Sequence, residues 1–357
     1  MVINSNFWKN KKVLLTGHTG FKGSWLSIWL KKLGVELIGF SKDVPTEPSL
    51  FELANVSKGM ISIIDDITDF SSIKKTVQEN QPDIIIHMAA QSLVRKSYEN
   101  PIETFSTNIM GTVNLLESIK HSKKTRVVIN VTSDKCYENI GSEKIFSENS
   151  PMGGYDPYSS SKGCSELITS AFRNSFYNSK EFDSHKLSLS TVRAGNVIGG
   201  GDWAKDRLIP DIIDSIAKEI PTQIRNTESV RPWQFVLEPL DGYLLLGEKM
   251  WDEGHKFSEA WNFGPDEKDC KSVRWILEKI SAELDDGFSW KEDARANPHE
   301  AVMLKLDCTK AKKRLGWNTK LGVNEAIEWT VNWYKEYFKK SDMKKYTENQ
   351  IDRFTSL

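Results

Sequence analysis

Long apolar runs are missing from this sequence. No stretch approaches the ~18 apolar residues that a membrane span requires. The run near the start, in MVINSNFWKNKKVLLTG, is far shorter than a signal h-region and stops at Thr16-Gly17. Cysteine is scarce and scattered. The four residues Cys136, Cys164, Cys270 and Cys308 form no C-x-x-C pair, which argues against a disulfide framework and against a zinc site. A reducing cytoplasm is the expected compartment, with no metal and no membrane. An excess of one charge is missing as well. Lys+Arg number 48 and Asp+Glu 49, a net charge of -1 with no basic block, so nucleic acid is not an expected partner. There is no internal repeat and no low-complexity segment.

What is present reads as a soluble enzyme-sized protein. Hydrophobic content of 39% and charged content of 27% suit a globular chain, and 357 residues suffice for one large or two ordinary domains. Twelve tryptophans imply a densely packed core. The first half alternates β-rich runs (Lys12–Leu15, Glu36–Phe40, Met60–Ile64, Asp83–Met88, Arg126–Thr132 and Leu187–Arg193) with helical patterns near 21–34, 69–80, 101–121 and 158–179. The runs are nearly all apolar, as strands covered on both faces should be. Alternation of this kind predicts an α/β fold, a Rossmann-type doubly wound parallel sheet. After about residue 195 the pattern loosens at the Gly-rich GNVIGGGDW, and helical patterns recur at 207–219, 239–252, 271–284, 309–315 and 322–340. The expected organisation is a nucleotide-binding domain over 1–195 plus about 233–262. A smaller, mostly C-terminal α/β substrate domain would take 196–232 and about 263–345.

VLLTGHTGFKGSWL is a strand, a glycine loop and a helix. Gly17, Gly20 and Gly23 let the backbone turn tightly and approach a pyrophosphate at a helix N-terminus, where free N–H groups point outward. A glycine triplet alone is a weak signal; its place at the start of a βαβ unit strengthens it. His18 reads as loop filler. Asp43, twenty residues after Gly23, stands about where an acid binds the ribose of NAD. Ser41 and Lys42 instead suit a 2′-phosphate, which keeps NADP open. Asp66 can accept from an adenine amino group, with Ile67 against the ring, or belong to a plain turn. Ala89 and Ala90 in HMAAQS let a cofactor lie close to the backbone.

YSSSK places Tyr158 and Lys162 at i, i+4, on one helical face. A cation beside a phenol favours the phenolate and lowers its pKa from about 10. Such a group can take the proton of a sugar hydroxyl while hydride leaves the same carbon. TSDKCY, after the fifth expected strand, sets Ser133, Asp134 and Lys135 in a row where proton transfer is plausible chemistry.

With TGHTGFKG, HMAAQS, YSSSK and RAGNVIGGGDW, the sequence resembles the extended short-chain dehydrogenases/reductases. GHTGFKGSWL, TSDKCYEN, GGGDW, RPWQFVLEPLDGYL and HEAVMLKLDCTKAKKRLGW narrow the resemblance to the sugar-nucleotide 4,6-dehydratases that act on CDP-glucose, from about residue 8 to 340. The resemblance implies NAD as cofactor, CDP-glucose as substrate, a 4-keto-6-deoxy sugar as product and a place in deoxysugar biosynthesis for O-antigen. It implies that Tyr158 is the base at the C4 hydroxyl while NAD takes the C4 hydride. Lys162 would hold the phenolate and the nicotinamide ribose, and Ser133 would donate to the C4 oxygen. The ketone acidifies C5–H; a second base removes that proton, an acid protonates the leaving C6 hydroxyl, and the hydride returns to C6. Asp134 and Lys135 stand at the positions for these two jobs, the second being glutamate in dehydratases of other sugar nucleotides. An ordinary lysine is protonated at pH 7 and cannot be a base. A neutral Lys135 beside a protonated Asp134 would supply both functions, and the two would titrate as a coupled pair. The bland alternative is an inert strand-end ion pair.

The same resemblance extends the cofactor set to Thr19, Phe21, Lys22, Gln91 and Asn108, and the substrate set to Ser92, Arg95 and Asn196. Arg231 is a candidate phosphate clamp, since guanidinium binds phosphate in bidentate fashion. Asp202, Trp203, Arg207 and Leu208 would line the nucleotide pocket, and His299 and Glu300 would close it. For each of these the alternative is a surface or core residue. A homo-oligomer, dimer or tetramer, built through helices near 101–121 and 158–179 is expected. Other readings are a dehydratase of another nucleotide sugar, a sugar-nucleotide epimerase, or a silent NAD-binding regulator. Epimerases of this kind need no acid/base pair beside Ser133, and an intact Tyr158/Lys162 pair argues against the regulator.

Overall fold

The computed structural model describes residues 2–139, 145–284, 288–293 and 303–357. Seven parallel strands form the central sheet: β1 (Lys12–Thr16), β2 (Glu36–Ser41), β3 (Ile61–Ile64), β4 (Ile84–His87), β5 (Val127–Val131), β6 (Ser188–Ala194) and β7 (Ala260–Phe263). Their order is β7-β6-β5-β4-β1-β2-β3. The chain runs outward from β1 to β3, then returns to pair β4 on the other side of β1. The order therefore reverses between β1 and β4, the switch point where open α/β sheets carry their ligands.

Strand residues alternate between two apolar layers, as the period of two requires. Val13, Leu15, Ile84, Ile86, Val127 and Ile129 join one cluster, with Trp25, Leu26 and Trp29 of the Phe21–Lys32 helix and Leu240, Leu244 and Leu245 of the Leu237–Phe257 helix. Leu14, Ile38, Phe40, Ile85, Val128 and Leu189 join the other, with Ile73 and Val77 of the Phe70–Asn80 helix and Leu115 and Leu116 of the Gly111–Ser118 helix. Helices thus cover both faces, which is why β4 and β5 are buried throughout. The edge strand β3 departs from the expectation of fully covered strands: Ile61 and Ile64 are each 54% exposed, because nothing described lies beyond the sheet's last strand. The tryptophans bear out the packed core, with Trp8, Trp25, Trp29, Trp261, Trp317 and Trp333 almost wholly buried.

Beyond β6 the chain builds a smaller region over the carboxyl ends of the strands. It holds the Leu208–Ala217, Val273–Glu283 and Val323–Phe338 helices, a parallel pair of Thr222–Ile224 with Trp290–Glu292, and an antiparallel pair of Val230–Pro232 with Cys270–Ser272. Its apolar residues, among them Ile212, Ile276 and Trp333, belong to the same cluster as the first sheet layer. The sequence reading missed β7 and the Met343–Thr355 helix. That helix is capped by the Asp342 carboxylate on Lys345 N–H (3.0 Å) and packs Phe354 edge-on against Trp29 (5.9 Å). The pattern expected as one helix over 101–121 is broken into Pro101–Phe105, a π turn at Ser106–Met110, and Gly111–Ser118 ending in a 3-10 turn at Ile119–His121.

Candidate active site

One cavity of about 870 Å³ opens outside the carboxyl ends of β1, β4, β5 and β6. Its floor is the glycine loop. Gly17 adopts φ +77, and a Cβ there would lie 2.8 Å from the Ala89 amide nitrogen. A Cβ at Gly23 would lie 1.9 Å from the Gly17 carbonyl oxygen, so the helix and the loop touch only because both residues are bare. The Phe21–Lys32 helix starts at Gly20 with no side-chain cap, leaving its first N–H groups to the cavity. Thr19, Phe21 and Lys22 line the same wall, as do Ala89, Ala90 and Gln91 at the end of β4.

The two groups that would suit a 2′-phosphate are already engaged. The Ser41 hydroxyl bonds His18 Nδ1 at 2.8 Å, and Lys42 Nζ lies 3.1 Å from Asp66 Oδ2. His18 is fully buried, with Nε2 on Ser62 at 2.7 Å; burial pushes it down to about 4 against a backbone bond to Phe40, so the ring is neutral. Asp43 faces the cavity, and its carbonyl accepts from the Thr19 hydroxyl at 2.5 Å. Asp66 also accepts from Thr68 N–H and hydroxyl, both at 2.9 Å. Burial opposes the Asp66 carboxylate, yet these bonds and Lys42 hold it below the usual range. Ile67 is buried against Gly111, where a Cβ would meet it at 2.7 Å. Asn108 does not line the cavity itself. The π turn aims its amide inward, where it exchanges two bonds with the Gln91 backbone (both 2.9 Å) and donates to the Ser161 hydroxyl at 2.8 Å. It braces Gln91 from behind.

Across the cavity the Pro157–Ser175 helix begins with Pro157 in its first turn. Asp156 caps it, accepting from Ser159 N–H (2.9 Å) and hydroxyl (2.6 Å). This start sets Tyr158 and Lys162 on the face toward the cavity, both almost fully buried. Lys162 Nζ donates to the Val131 carbonyl at 3.2 Å. Burial lowers Lys162 to about 8, against the pull of Glu166. The phenol differs from the expectation. Burial pushes Tyr158 up to about 12, with the Ser133 hydroxyl and Arg207 opposing and Asp134 and Asp156 adding to the rise. In the chain alone desolvation outweighs the neighbouring cations.

Ser133, Asp134 and Lys135 leave β5 in a single 3-10 turn. The Ser133 hydroxyl donates to Asp134 Oδ1 at 3.1 Å, and Asp134 Oδ2 is buried with no hydrogen-bond partner among the described residues. Burial raises the Asp134 carboxyl; Lys135, Ser133 and Arg231 pull back only in part. Lys135 is half-buried and lines the cavity. A third lysine reaches the same place. Lys22 Nζ donates to the Tyr243 hydroxyl at 3.1 Å, and burial, then Lys162 and Arg207, bring it down to about 7. The glycine-loop pattern placed Lys22 near a cofactor but carried no sign of this depth.

At the substrate end Asn196, Asp202, Trp203, Arg207, Leu208, Arg231, Ser92 and Arg95 all line the cavity. Several are tied to one another. Arg207 pairs with Asp202 (2.9 Å) and donates to the Ser92 hydroxyl (3.0 Å), while Arg95 pairs with Asp206 (3.1 Å). Trp203 stands edge-on to Tyr334 at 5.3 Å. His299 and Glu300 lie outside the described residues. Among the described residues no group of His, Cys, Asp or Glu is placed to hold a metal, and no helix is long and apolar enough to cross a membrane.

A phosphate cradle, a Tyr/Lys pair and an acid beside a lysine in one cavity are the setting for the comparisons with known proteins. The model of the GDP-mannose 4,6 dehydratase family matches residues 14–330. A CDP-glucose 4,6-dehydratase of Salmonella typhimurium is 51% identical over 355 residues, 99% of each chain. The dTDP-glucose 4,6-dehydratase from Streptomyces venezuelae, solved with NAD and TYD bound, superposes with a TM-score of 0.78 over 92% of this chain and 98% of that one, at 21% identity. An epimerase from Methanothermobacter thermautotrophicus gives 0.80 over 94% and 95%, also at 21% identity; these two likenesses concern the fold. Extended match to the family model and half-identity to a full-length relative lead to one conclusion: the chain belongs to the GDP-mannose 4,6 dehydratase family, within the extended short-chain dehydrogenases/reductases.

Proposed function

We propose that this chain is an NAD-dependent CDP-glucose 4,6-dehydratase, converting CDP-D-glucose to CDP-4-dehydro-6-deoxy-D-glucose and water. The observation that carries the reading is Asp134 and Lys135 on the turn after β5, in the same cavity as Tyr158 and Lys162. An oxidoreductase or epimerase has no use for that second acid/base pair, whereas an elimination requires one. The 51% identical relative supports the same activity.

The residues fit a dinucleotide. The bare positions 17 and 23, the uncapped helix start and the engaged Ser41 and Lys42 suit a pyrophosphate and an unphosphorylated ribose. Gly17, Thr19, Gly20, Phe21, Lys22 and Gly23 would hold the phosphates, Asp43 the adenosine ribose, Asp66 and Ile67 the adenine, and Ala89, Ala90, Gln91, Tyr158 and Lys162 the nicotinamide half. When bound, NAD supplies a reversible hydride acceptor and the positive charge of its nicotinamide.

The chain's own groups do the proton chemistry. Tyr158 Oη takes the proton of the C4 hydroxyl, with Ser133 Oγ donating to the C4 oxygen and Lys162 steadying the phenolate. Lys135 Nζ removes the C5 proton once C4 is a ketone. Asp134, whose carboxyl burial raises above the usual carboxylate range, gives its proton to the departing C6 oxygen. Asn196 and Arg231 hold the diphosphate, with Ser92, Arg95, Asp202, Trp203, Arg207 and Leu208 around the nucleotide and sugar, and His299 and Glu300 assigned to the closing end. The four cysteines are free, in keeping with a cytoplasmic enzyme. The exposed Ile102 on the short Pro101–Phe105 helix, Met110 in the π turn and Leu167 on the Pro157–Ser175 helix support a homo-oligomer, which sedimentation would measure. The deciding experiment incubates the chain and NAD with CDP-, dTDP-, UDP- and GDP-glucose and follows the base-induced absorbance of a 4-keto product. Product from CDP-glucose first is expected; preference for another nucleotide, or epimerised sugar without water loss, would overturn the reading.

A further inference from the structure

Glu166 is a buried carboxylate for which the chemistry above has no use. It follows Lys162 by one helical turn and Tyr158 by two, so the three share a face of the Pro157–Ser175 helix. Its Oε1 accepts from the Thr132 hydroxyl at 2.5 Å and from Arg193 Nε at 2.8 Å. Its Oε2 accepts from Arg193 Nη2 and from the Thr191 hydroxyl, both at 2.7 Å. Burial opposes its charge; the two Arg193 bonds, the Arg193 charge and the two threonines outweigh it, so Glu166 stays ionised. Arg193 also donates through Nη1 to the Tyr137 hydroxyl at 2.7 Å and to the Glu148 carbonyl at 3.2 Å, and Tyr137 donates to Asn262 at 2.6 Å.

The placement of these partners is what distinguishes the pair from an ordinary buried bridge. Thr132 immediately precedes Ser133, and Tyr137 follows Lys135 by two residues. A single guanidinium–carboxylate pair therefore grips both ends of the segment that carries Ser133, Asp134 and Lys135, and anchors it to the helix that carries Tyr158 and Lys162. Arg193 itself leads into Gly195, where a Cβ would lie 2.7 Å from Asp134 Oδ2. Buried pairs stabilise little relative to well-packed apolar side chains, so a fold-only role would not demand one at this junction. The charged and titratable groups facing Lys162 are Glu166 on its own helix, Lys22 from the glycine-loop helix, His87 from β4 and Cys136 from the turn after β5. Glu166 itself faces Arg193 and Arg173. Among those facing Lys162, Glu166 is the one anion ionised at neutral pH.

We infer that Glu166 and Arg193 are positioning residues: the pair fixes the Ser133–Lys135 segment against the tyrosine helix, and it sets the Glu166 carboxylate one helical turn from Lys162 on the same face. The inference rests on the dehydratase reading for its kinetic consequences but not for the titration of Lys162. Three variants test it. Thr132→Val removes the hydroxyl bonded to Glu166 and leaves the ion pair; kcat for CDP-glucose should fall about tenfold with KM within about twofold, a loss at assay temperatures well below a thermal midpoint that falls only by a few degrees. Glu166→Gln removes the charge; the alkaline limb of kcat/KM should move to lower pH by about one unit. The midpoint of Lys162 acetylation by acetic anhydride, read by mass spectrometry on its peptide without substrate, should move with it. Glu166→Asp keeps the charge and shortens the reach, so it should restore the acetylation midpoint but not kcat. Lower thermal midpoints with unchanged kcat, pH limb and acetylation profile would overturn the inference and leave a structural bridge. Should Glu166→Gln fail to fold, Thr132→Val and Glu166→Asp decide alone. A wild-type chain that turns over none of the four nucleotide sugars would sink the dehydratase reading, while the acetylation profiles would still test the charge on Lys162.

Discussion

Tyr158 has to lose a proton that its surroundings hold tightly. Burial pushes the phenol up to about 12, beyond what Ser133 and Arg207 offset. To be half ionised near pH ~8 it must come down by about four, which takes roughly 5 kcal/mol at ~1.4 kcal/mol per pKa unit. One positive charge about 4 Å away contributes ~4 kcal/mol at an effective dielectric constant of about 20. Lys162, itself brought down to about 8 and bonded to the Val131 carbonyl, is not enough alone. A second cation is needed, and oxidised NAD carries one where NADH does not. The chain loaded with oxidised NAD should therefore titrate Tyr158 near pH ~8 or below, while the NADH complex and the bare chain should hold the phenol at least about two units higher. The assay is the near-ultraviolet phenolate difference spectrum against pH, wild type minus Tyr158→Phe, in the three states. Equal titration in both cofactor complexes would refute the reasoning, and the compensating charge would then have to come from the protein.

Tyr158→Phe should bind CDP-glucose almost normally and lose at least about a hundredfold in kcat, since only the transferable proton is gone; calorimetry and initial rates check both halves. Substrate deuterated at C4 should give product labelled at C6 with no net NADH formed, and steady NADH accumulation would point to a plain dehydrogenase. In a single turnover Lys135→Ala should still oxidise C4 and then stall, so reduced cofactor absorbance builds up while exchange of C5–H with solvent deuterium falls; wild-type exchange would remove Lys135 as the base. Gly23→Ala forces a methyl toward the Gly17 carbonyl, 1.9 Å away, and should raise the Kd for NAD at least about tenfold by the overpacking and loss of phosphate approach.

The fold class was readable because burial on both faces writes itself as near-continuous apolar, β-branched runs, with Ile84–Ile86 and Val127–Ile129 the clearest of them. β7 escaped because AWNF is short and follows a helix with no turn signal between. The Met343–Thr355 helix escaped because its charged positions hide a spacing of buried Met343, Thr347, Ile351 and Phe354 that is plain once seen. The site was legible where chemistry sits at strand ends: the glycine loop, TSDK and YSSSK each follow or face one, and all open into one cavity. What the sequence could not convey was environment. The pairing of a lysine and a phenol suggested an acidic tyrosine, but depth of burial decides the sign, and depth is a property of the assembled sheet. The bracing of the Gln91 backbone by Asn108 was equally unreadable, since it comes from a π turn in an otherwise helical stretch.

The exposed edge of the sheet has a bearing on how the protein behaves in concentrated solution. A strand with Ile61 and Ile64 open to water offers unpaired backbone groups to any other strand, and two such edges meeting would begin an aggregate. β3 is only four residues long, and Asp65 and Asp66 follow it directly. A parallel edge-to-edge approach would bring like charges together at that end. The carboxylate proposed to receive the adenine is thus also a guard against self-association. A variant that neutralises Asp66 to test the adenine contact should consequently lose solubility before it loses its fold, and a new charge on β3 itself, at Ser62, would be no substitute because that hydroxyl holds His18.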